Sequence, residues 1–250
     1  MIPAQAVWTT PPGRLFLHPG DVHLWLVSEE APPRSLESIL PPEELQRSLR
    51  MIRPADQRRY LSVRGALRGI LGSYLRVSPP TISIAYSESG KPFLENQADS
   101  RNGLHFNVSH AGGLALVVVS RGLRVGIDIE RVREIGAASD ILNDFFSAAE
   151  QAWVQSLPDE RKTQEFFRLW TRREAASKAV GTGLLRSFPL FSLPARPLCP
   201  SGFCLALPKS AREAAVQDWW MRDLSPAPGH AGALCVENQN SEPSFWRFSW

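Results

Sequence analysis

The sequence is poor in cysteine, and the few cysteines that it has form no recognisable pattern. Three of them, Cys199, Cys204 and Cys235, lie in the last quarter of the 250 residues. Their odd number and their lack of closely paired metal-ligand spacing argue against a disulfide scaffold and against a structural zinc site. Free thiols in a reducing compartment are therefore the expected state.

Long hydrophobic runs are also absent. The longest, Leu114–Val119, is far too short to span a bilayer, which takes roughly 20 apolar residues. The amino-terminal stretch MIPAQAVWTTPPGRL has no basic start followed by a long apolar segment, so no signal peptide is predicted. These two features predict a cytoplasmic protein that has no membrane partner.

Net charge is small, at +3, and does not by itself require an anionic partner. A hydrophobic fraction of 43% is that of an ordinary globular chain, long enough for one large domain or two smaller ones. The arginines are concentrated in one segment, at Arg47, Arg50, Arg53, Arg58, Arg59, Arg64, Arg68 and Arg76. For most of them a solvated helix face is the simplest interpretation. A nucleic-acid surface is the alternative, although the low net charge and the scarcity of interleaved aromatics count against it.

Hydrophobic periodicity and turn residues predict a mixture of strands and helices. Strands are predicted at Val22–Val27, at Thr81–Tyr86, on both sides of the Ala111–Gly113 turn, at Val125–Glu130, at Gly202–Leu207, at Ala231–Val236 and at Phe245–Phe248. Helices are predicted after the prolines 41–42 and 54, at Ile141–Phe146, at Ala148–Leu157 and at Thr163–Val180, the last of them ending at a glycine. The natural domain boundary lies in the turn Arg121–Arg124.

The stretch VGIDIE, residues 125–130, places two carboxylates within the most strand-like part of the chain. Val125, Ile127 and Ile129 alternate with the other three residues, so Asp128 and Glu130 project from one strand face, with Cα atoms roughly 6.5–7 Å apart. Two anions so close repel unless water, a base or a cation lies between them. A solvated acidic face and a cation site both fit this stretch.

A third carboxylate lies on the long helix, in the stretch FFRLWTRREAASKAVGTGL. Glu174 and Lys178 are one helical turn apart and therefore neighbours on the helix surface. Such a pair is either an ordinary salt bridge or a metal carboxylate beside a phosphate-binding ammonium group. If this helix packs across the VGIDIE strand, three carboxylates meet, and three oxygen ligands without histidine or cysteine suit Mg²⁺.

Five short blocks, in order, resemble the signature of the 4′-phosphopantetheinyl transferases of the surfactin-synthetase (Sfp) type. They are SGKPFL (89–94), FNVSHAGG (106–113), VGIDIERV (125–132), FFSAAEQAW (145–153) and LWTRREAASKAVGTGL (169–184). The resemblance covers the chain from about Arg47 to Gly183. It implies an enzyme that transfers the phosphopantetheine arm of coenzyme A to a serine of an apo acyl or peptidyl carrier protein, leaving 3′,5′-ADP.

The resemblance also implies a role for individual residues. By matching position, Asp128, Glu130 and Glu174 are expected to bind Mg²⁺, and Lys178 to contact the transferred phosphate. Coenzyme A is expected to contact Arg47, Lys91, Ser109, His110 and Lys178. The catalytic residues would be Glu174 and Lys178, with either Glu174 or a water molecule on the metal accepting the proton of the carrier serine. The family usually has lysine before the helix glutamate, whereas this chain has Arg173, which leaves the role of that position open.

The architecture implied is an α+β fold of two similar subdomains in a pseudo-twofold arrangement. Residues 1–122 would form the coenzyme A-binding subdomain, and residues 123–250 the subdomain that holds the metal and docks the carrier. A monomer is expected, since one chain supplies both halves. No nucleic-acid partner is expected. A Mg²⁺-dependent phosphohydrolase and a nucleic-acid-binding protein remain the alternatives, because three carboxylates also suit hydrolysis.

Overall fold

Two four-stranded β-sheets and two 22-residue helices form the framework of the described part of the protein. The structure is a computed structural model that describes residues 7–29, 36–95, 103–134, 144–181, 193–195, 202–210, 213–238 and 242–250. Each sheet packs against one long helix, so the predicted α+β class with two similar subdomains is confirmed.

The first sheet has the strand order β10-β1-β5-β4. Its members are β1 (Val22–Ser28), β4 (Leu104–Ala111), β5 (Leu114–Arg121) and β10 (Ser244–Arg247). β4, β5 and β1 run antiparallel to one another, whereas β10 pairs with β1 in parallel. The carboxy-terminal strand thus lies in the sheet of the first half.

Helices α1 (Pro42–Leu49) and α2 (Pro54–Leu75) follow β1 in the chain and begin at prolines, as predicted. The apolar side of α2 covers one face of the first sheet, where Leu67 and Leu71 join Trp25 and Val117 in a buried core. The small strands β2 (Ile84–Tyr86) and β3 (Pro92–Leu94) form a separate hairpin.

The second sheet has the strand order β6-β9-β8-β7. Its strands are β6 (Val125–Arg131), β7 (Phe203–Ser210), β8 (Glu213–Leu224) and β9 (His230–Glu237). Between β6 and β7, the described residues include the helices α3 (Ala148–Gln155) and α4 (Asp159–Val180). Small side chains of α4, among them Ala175, Ala176 and Ala179, pack with Ala233 and Cys235 of β9.

The two sheets pack against each other through their inner faces. Leu24 and Leu26 of β1 and Val118 of β5 share one buried core with Ile127 and Ile129 of β6. The order of layers is therefore α2, first sheet, second sheet, α4. Because side chains alternate along a strand, the isoleucines of β6 face the first sheet and the residues between them face α4.

Several predicted boundaries change in the structure. Residues 79–81 form a 3₁₀ turn, so the strand predicted at Thr81–Tyr86 is reduced to β2. The long second-half helix begins at Asp159 rather than Thr163, and β8 was not predicted at all. Of the helix predicted at Ile141–Phe146, the first three residues lie outside the described part of the chain.

The predicted boundary between residues 122 and 123 lies where the chain leaves the first sheet and enters the second. Strand β5 ends at Arg121 and β6 begins at Val125, with Gly122 at a φ of +77° between them. The division itself stays a prediction, and β10 crosses it by joining the first sheet. Among the described helices, none is both long and apolar enough to cross a membrane.

Candidate active site

Strand β6 presents Asp128 and Glu130 on the side that faces helix α4, as the alternation of the sequence predicts. Gly126 lies on the same face and makes the close approach of the helix possible. A Cβ atom at this position would lie 2.9 Å from the Cα atom of Ala179 and still nearer the carbonyl oxygen of Ala175. Only glycine leaves room for the helix backbone there. The strand carboxylates consequently lie directly beneath the last turns of α4.

Helix α4 brings Lys178 to the strand. Its Nζ atom donates to Oδ1 of Asp128 at 2.6 Å and to the hydroxyl of Ser109 at 3.1 Å, and that hydroxyl donates to the same Oδ1 atom at 2.7 Å. Strand β4 of the first half therefore meets β6 and α4 of the second half at Asp128. The other oxygen of this buried carboxylate, Oδ2, has no hydrogen-bond partner among the described residues.

The three predicted carboxylates share one electrostatic environment. Burial, reinforced by the charges of Asp128 and Glu130, raises the pKa of Glu174 to about 7. Burial and the charge of Asp128 likewise raise the pKa of Glu130, while the Trp170 indole donates a hydrogen bond to it. Mutual repulsion of this kind is relieved when a cation binds between the carboxylates.

The side chains as placed do not form a finished metal site. Within the described ranges, no group of three or more His, Cys, Asp or Glu side chains could hold a metal ion as it stands. Asp128 instead pairs with Lys178. The donor set nevertheless fits a hard divalent cation, because carboxylate oxygens are the ligands that Mg²⁺ takes. The unpartnered Oδ2 of Asp128 and the raised pKa values of Glu130 and Glu174 also fit a cluster whose three carboxylates outnumber the one ammonium group of Lys178.

His110 follows Ser109 at the end of β4, with its side chain half exposed. Its Nδ1 atom lies 3.7 Å from Oε1 of Glu29, whose other oxygen accepts a hydrogen bond from Arg59 at 3.1 Å. Partial burial lowers the pKa of His110. Ser109 and His110 thus extend the site from Asp128 toward helix α2.

Arg47 lies at a cleft of about 820 Å³ beside helices α1 and α2. Its guanidinium group stands 5.8 Å from the ring centroid of Tyr60. Arg50 and Tyr86 also line this cleft, and both are exposed. An aromatic ring beside exposed guanidinium groups suits a flat heterocycle carrying phosphate.

Five members of the arginine cluster are exposed, in keeping with the prediction of a solvated face for most of them, whereas two are buried. Arg47, Arg50, Arg53, Arg58 and Arg76 are exposed, and Arg59 is partly buried. Arg64 and Arg68 are buried and pair with the buried carboxylate of Glu44, Arg68 Nε at 3.0 Å from Oε2. Two cations around one anion hold α1 against α2, and they lower the pKa of Glu44 despite its burial.

Lys91 lies between the two halves, in a setting that the sequence did not predict. Its Nζ atom donates to the main-chain carbonyl of Val125 at 3.1 Å and to that of Ala179 at 3.3 Å. Burial lowers the pKa of Lys91 to about 8. Its ammonium group is thus engaged with the backbone of β6 and α4, and the expected contact to the nucleotide stays a prediction.

Two further contacts lie around the site, one made by Asn107, which the sequence patterns did not single out, and one by Arg173. The Asn107 side chain accepts a hydrogen bond from the Ile127 amide at 3.0 Å. The sequence pattern that could have identified Asn107 is its position two residues before Ser109, on the same face of the strand. Arg173, the departure from the family pattern, is buried and pairs with Glu150, whose side chain closes the capping box of α3. Arg173 therefore ties α3 to α4.

Comparison with known proteins gives matches along the chain. Residues 124–234 match the model of the 4′-phosphopantetheinyl transferase superfamily, and residues 25–121 match that of the 4′-phosphopantetheinyl transferase amino-terminal region. The 4′-phosphopantetheinyl transferase HetI of Nostoc sp. (strain PCC 7120) is 33% identical over 249 residues, covering 98% of this chain and 99% of the relative. The transferase Sfp of Bacillus subtilis (strain 168) is 26% identical, over 80% of this chain and 83% of its own. The transferase psf-1 of Bacillus pumilus is 33% identical, over 72% of each chain.

Proposed function

Because this chain belongs to the 4′-phosphopantetheinyl transferase superfamily, we propose that it transfers the phosphopantetheine arm of coenzyme A to a serine of an apo acyl or peptidyl carrier protein. The observation that carries the proposal is the meeting of Asp128, Lys178 and Ser109 within hydrogen-bond distance, from strand β6, helix α4 and strand β4. Glu130 and Glu174 stand in the same electrostatic environment.

The reaction exchanges one phosphorus–oxygen bond for another. The serine oxygen of the carrier bonds to the phosphorus atom that bears pantetheine, the bond from that phosphorus to the bridging oxygen breaks, and 3′,5′-ADP leaves. Such a transfer depends on positioning and on neutralising charge more than on covalent help from the protein. Lys178 supplies one positive charge at the transferring phosphate, and the carboxylate of Glu174 is the candidate acceptor for the serine proton.

Asp128, Glu130 and Glu174 are the residues that would hold Mg²⁺. The cation would neutralise negative charge on the pyrophosphate of coenzyme A and on the departing oxygen. The unpartnered Oδ2 atom of Asp128 and the raised pKa values of the two glutamates support this assignment. Lys178 donates to the Asp128 carboxylate from the neighbouring helix.

Coenzyme A would extend from this cluster toward the first half of the chain. We expect Ser109 and His110 to contact its phosphates, and the cleft beside Arg47 and Tyr60 suits the nucleotide end. Lys91 remains a predicted contact of the nucleotide, although its ammonium group is directed to the backbone. Residues 1–122 would thus bind coenzyme A and residues 123–250 the metal and the carrier, in a cytoplasmic monomer.

The direct test is incubation with coenzyme A, Mg²⁺ and a panel of apo carriers from fatty-acid, polyketide and peptide synthesis. The expected result is a carrier whose intact mass rises by that of the phosphopantetheine arm, with release of 3′,5′-ADP. Loss of phosphate from coenzyme A without a carrier would indicate a phosphohydrolase instead. Binding of nucleic acid without either reaction would indicate a binding protein.

The role of the carboxylates is tested by Asp128→Asn, Glu130→Gln and Glu174→Gln, each of which preserves shape and removes a negative ligand. Transfer is expected to fall by roughly 10²–10⁴-fold, since several kcal/mol of charge stabilisation are lost. Excess Mg²⁺ should restore part of the activity. Glu160→Gln, at an exposed position in the first turn of the same helix, is the matched control. Near-normal transfer by the three variants at low Mg²⁺ would refute the metal site.

A further inference from the structure

Strand β6 lies at the edge of its sheet, and it is paired with β9 on one side only. An edge strand leaves main-chain groups without a strand partner, and buried groups of this kind need hydrogen bonds from elsewhere. Asp128 lies on this strand and is itself buried. The groups that satisfy the open edge of β6 therefore also fix where the carboxylate stands.

Lys91 supplies the first of these contacts. One ammonium group joins the carbonyl of Val125, where β6 begins, to the carbonyl of Ala179, in the last turn of α4. The final carbonyls of a helix have no partner within the helix, and the negative end of the helix dipole favours a cation there. A single side chain from the first half thus connects both elements of the second half that carry site residues.

Asn107 supplies the next contact. Its Oδ1 atom accepts from the amide of Ile127 at 3.0 Å, one residue before Asp128, and its side chain is buried. Ser109, two positions further along β4, then donates to Asp128 itself. Positions 125, 127 and 128 of β6 are consequently held in succession by side chains of the first half.

We propose that Lys91 and Asn107 are positioning residues, which hold β6 and the end of α4 at the distance from the first half that the transfer requires. The proposal rests on the proposed function, and it differs from the predicted role of Lys91 as a ligand of coenzyme A. Both hydrogen bonds made by the Lys91 ammonium group go to main-chain carbonyls. Its lowered pKa agrees with a buried cation that has no carboxylate in hydrogen-bond contact among the described residues.

Lys91→Met tests this, because methionine keeps the length and the apolar stem of the side chain and removes the ammonium group. With saturating coenzyme A and Mg²⁺, kcat is expected to fall by about 10–100-fold, the scale of a misplacement near 1 Å. The Kd for coenzyme A, from calorimetry, should stay within about twofold, since ground-state binding is retained. Amide hydrogen exchange of a peptide covering 125–131 should become faster in the variant.

Asn107→Ala is the second variant, and it decides alone if Lys91→Met does not fold. Because it removes the hydrogen bond to the Ile127 amide, it should give the same results for kcat, for the Kd of coenzyme A and for amide exchange. Lys162→Met removes an exposed lysine of α4 that pairs with Asp159, and it should change none of the three measurements. An unchanged exchange rate for 125–131, or an unchanged kcat, would overturn the proposal. A tenfold rise in Kd for coenzyme A with normal kcat would identify Lys91 as a ligand. If the wild type transfers nothing to any carrier, the proposed function fails. Amide hydrogen exchange of residues 125–131 and the Kd for coenzyme A would still decide whether Lys91 and Asn107 are positioning residues.

Discussion

A methyl group at position 126 tests how the carboxylates are brought together. In Gly126→Ala, the new Cβ atom would lie 2.9 Å from the Cα atom of Ala179 and nearer still to the carbonyl oxygen of Ala175. Both contacts are with helix backbone, which cannot rotate away as a flexible side chain can. Because carbon contacts are optimal at about 3.5–4.0 Å, helix α4 must move away from β6 by about 1 Å.

This displacement acts on the site directly, since the two alanines immediately follow Glu174 and Lys178 in the helix. The 2.6 Å bond between Lys178 and Asp128 would lengthen or break. Overpacking of this kind costs about 1–3 kcal/mol in the free energy of unfolding. Transfer to an apo carrier should fall by about 10²-fold, because a shift near 1 Å is enough to spoil the reacting geometry.

Gly69→Ala is the matched control. It lies in helix α2, where a Cβ atom would meet only the Phe248 ring, at 3.6 Å, an ordinary contact distance. Alanine is favoured over glycine inside a helix by about 0.5–1 kcal/mol, so this variant should unfold at a slightly higher denaturant concentration and transfer normally. Wild-type behaviour of Gly126→Ala in both urea unfolding and transfer would contradict this close packing of α4 on β6.

Three other predictions follow from the charges. Below pH 4.5 Glu174 is protonated in both the folded and the unfolded protein. Between pH 4.5 and about 7 the unfolded chain loses that proton and the folded chain keeps it. Without added metal, the free energy of unfolding should therefore fall as pH rises through this window. The loss is about 1–2 kcal/mol after allowance for solvent screening, and urea midpoints measured against pH should show a weaker slope in Glu174→Gln. Arg173→Met leaves Glu150 buried without its cationic partner and should lower the free energy of unfolding by about 3–5 kcal/mol. Adding Glu150→Gln to this variant should restore part of the loss, and a loss below about 1 kcal/mol would contradict the pairing. Replacing the exposed Arg131 and Arg133 with glutamate should raise the KM for an acidic carrier and weaken the salt dependence of that KM, without changing coenzyme A affinity. Unchanged carrier kinetics would exclude this surface, together with the neighbouring apolar residues of 145–153, as the docking site.

Local patterns predicted the elements that carry the site. The alternation in VGIDIE predicted β6 and the shared face of Asp128 and Glu130, and helical spacing predicted the neighbouring positions of Glu174 and Lys178. The glycine after Val180 has a φ of +83°, in keeping with the predicted end of α4. In these places the sequence determines the structure through contacts only a few residues apart.

Strand β8 was missed because both of its faces are covered. Trp219 and Met221 pack toward α4, whereas Trp220 and Leu224 pack toward the first sheet. Apolar residues therefore lie on both faces, and no strict alternation of apolar with polar residues reveals the strand. Contacts between distant residues were also beyond local patterns. Lys91 meets carbonyls 34 and 88 positions away, and a motif could mark it as important without showing what its side chain touches.

The burial of Arg64 and Arg68 has the same origin. Their charge predicted exposure, because arginine is seldom buried unless it is paired. The partner, Glu44, comes from the preceding helix, 20 and 24 positions earlier. Only the packing of α1 on α2 brings these charges together, and one amphipathic pattern cannot show that.

The most direct measurement of the central claim is the intact mass of an apo carrier protein after incubation with coenzyme A and Mg²⁺, for the wild type and for Asp128→Asn side by side. This substitution keeps the shape of the side chain and removes the charge that Lys178 and the proposed cation share. The wild type should convert the carrier to the phosphopantetheinylated form, and the folded variant should leave most of it unmodified over the same time. Equal conversion by the two proteins would contradict the account.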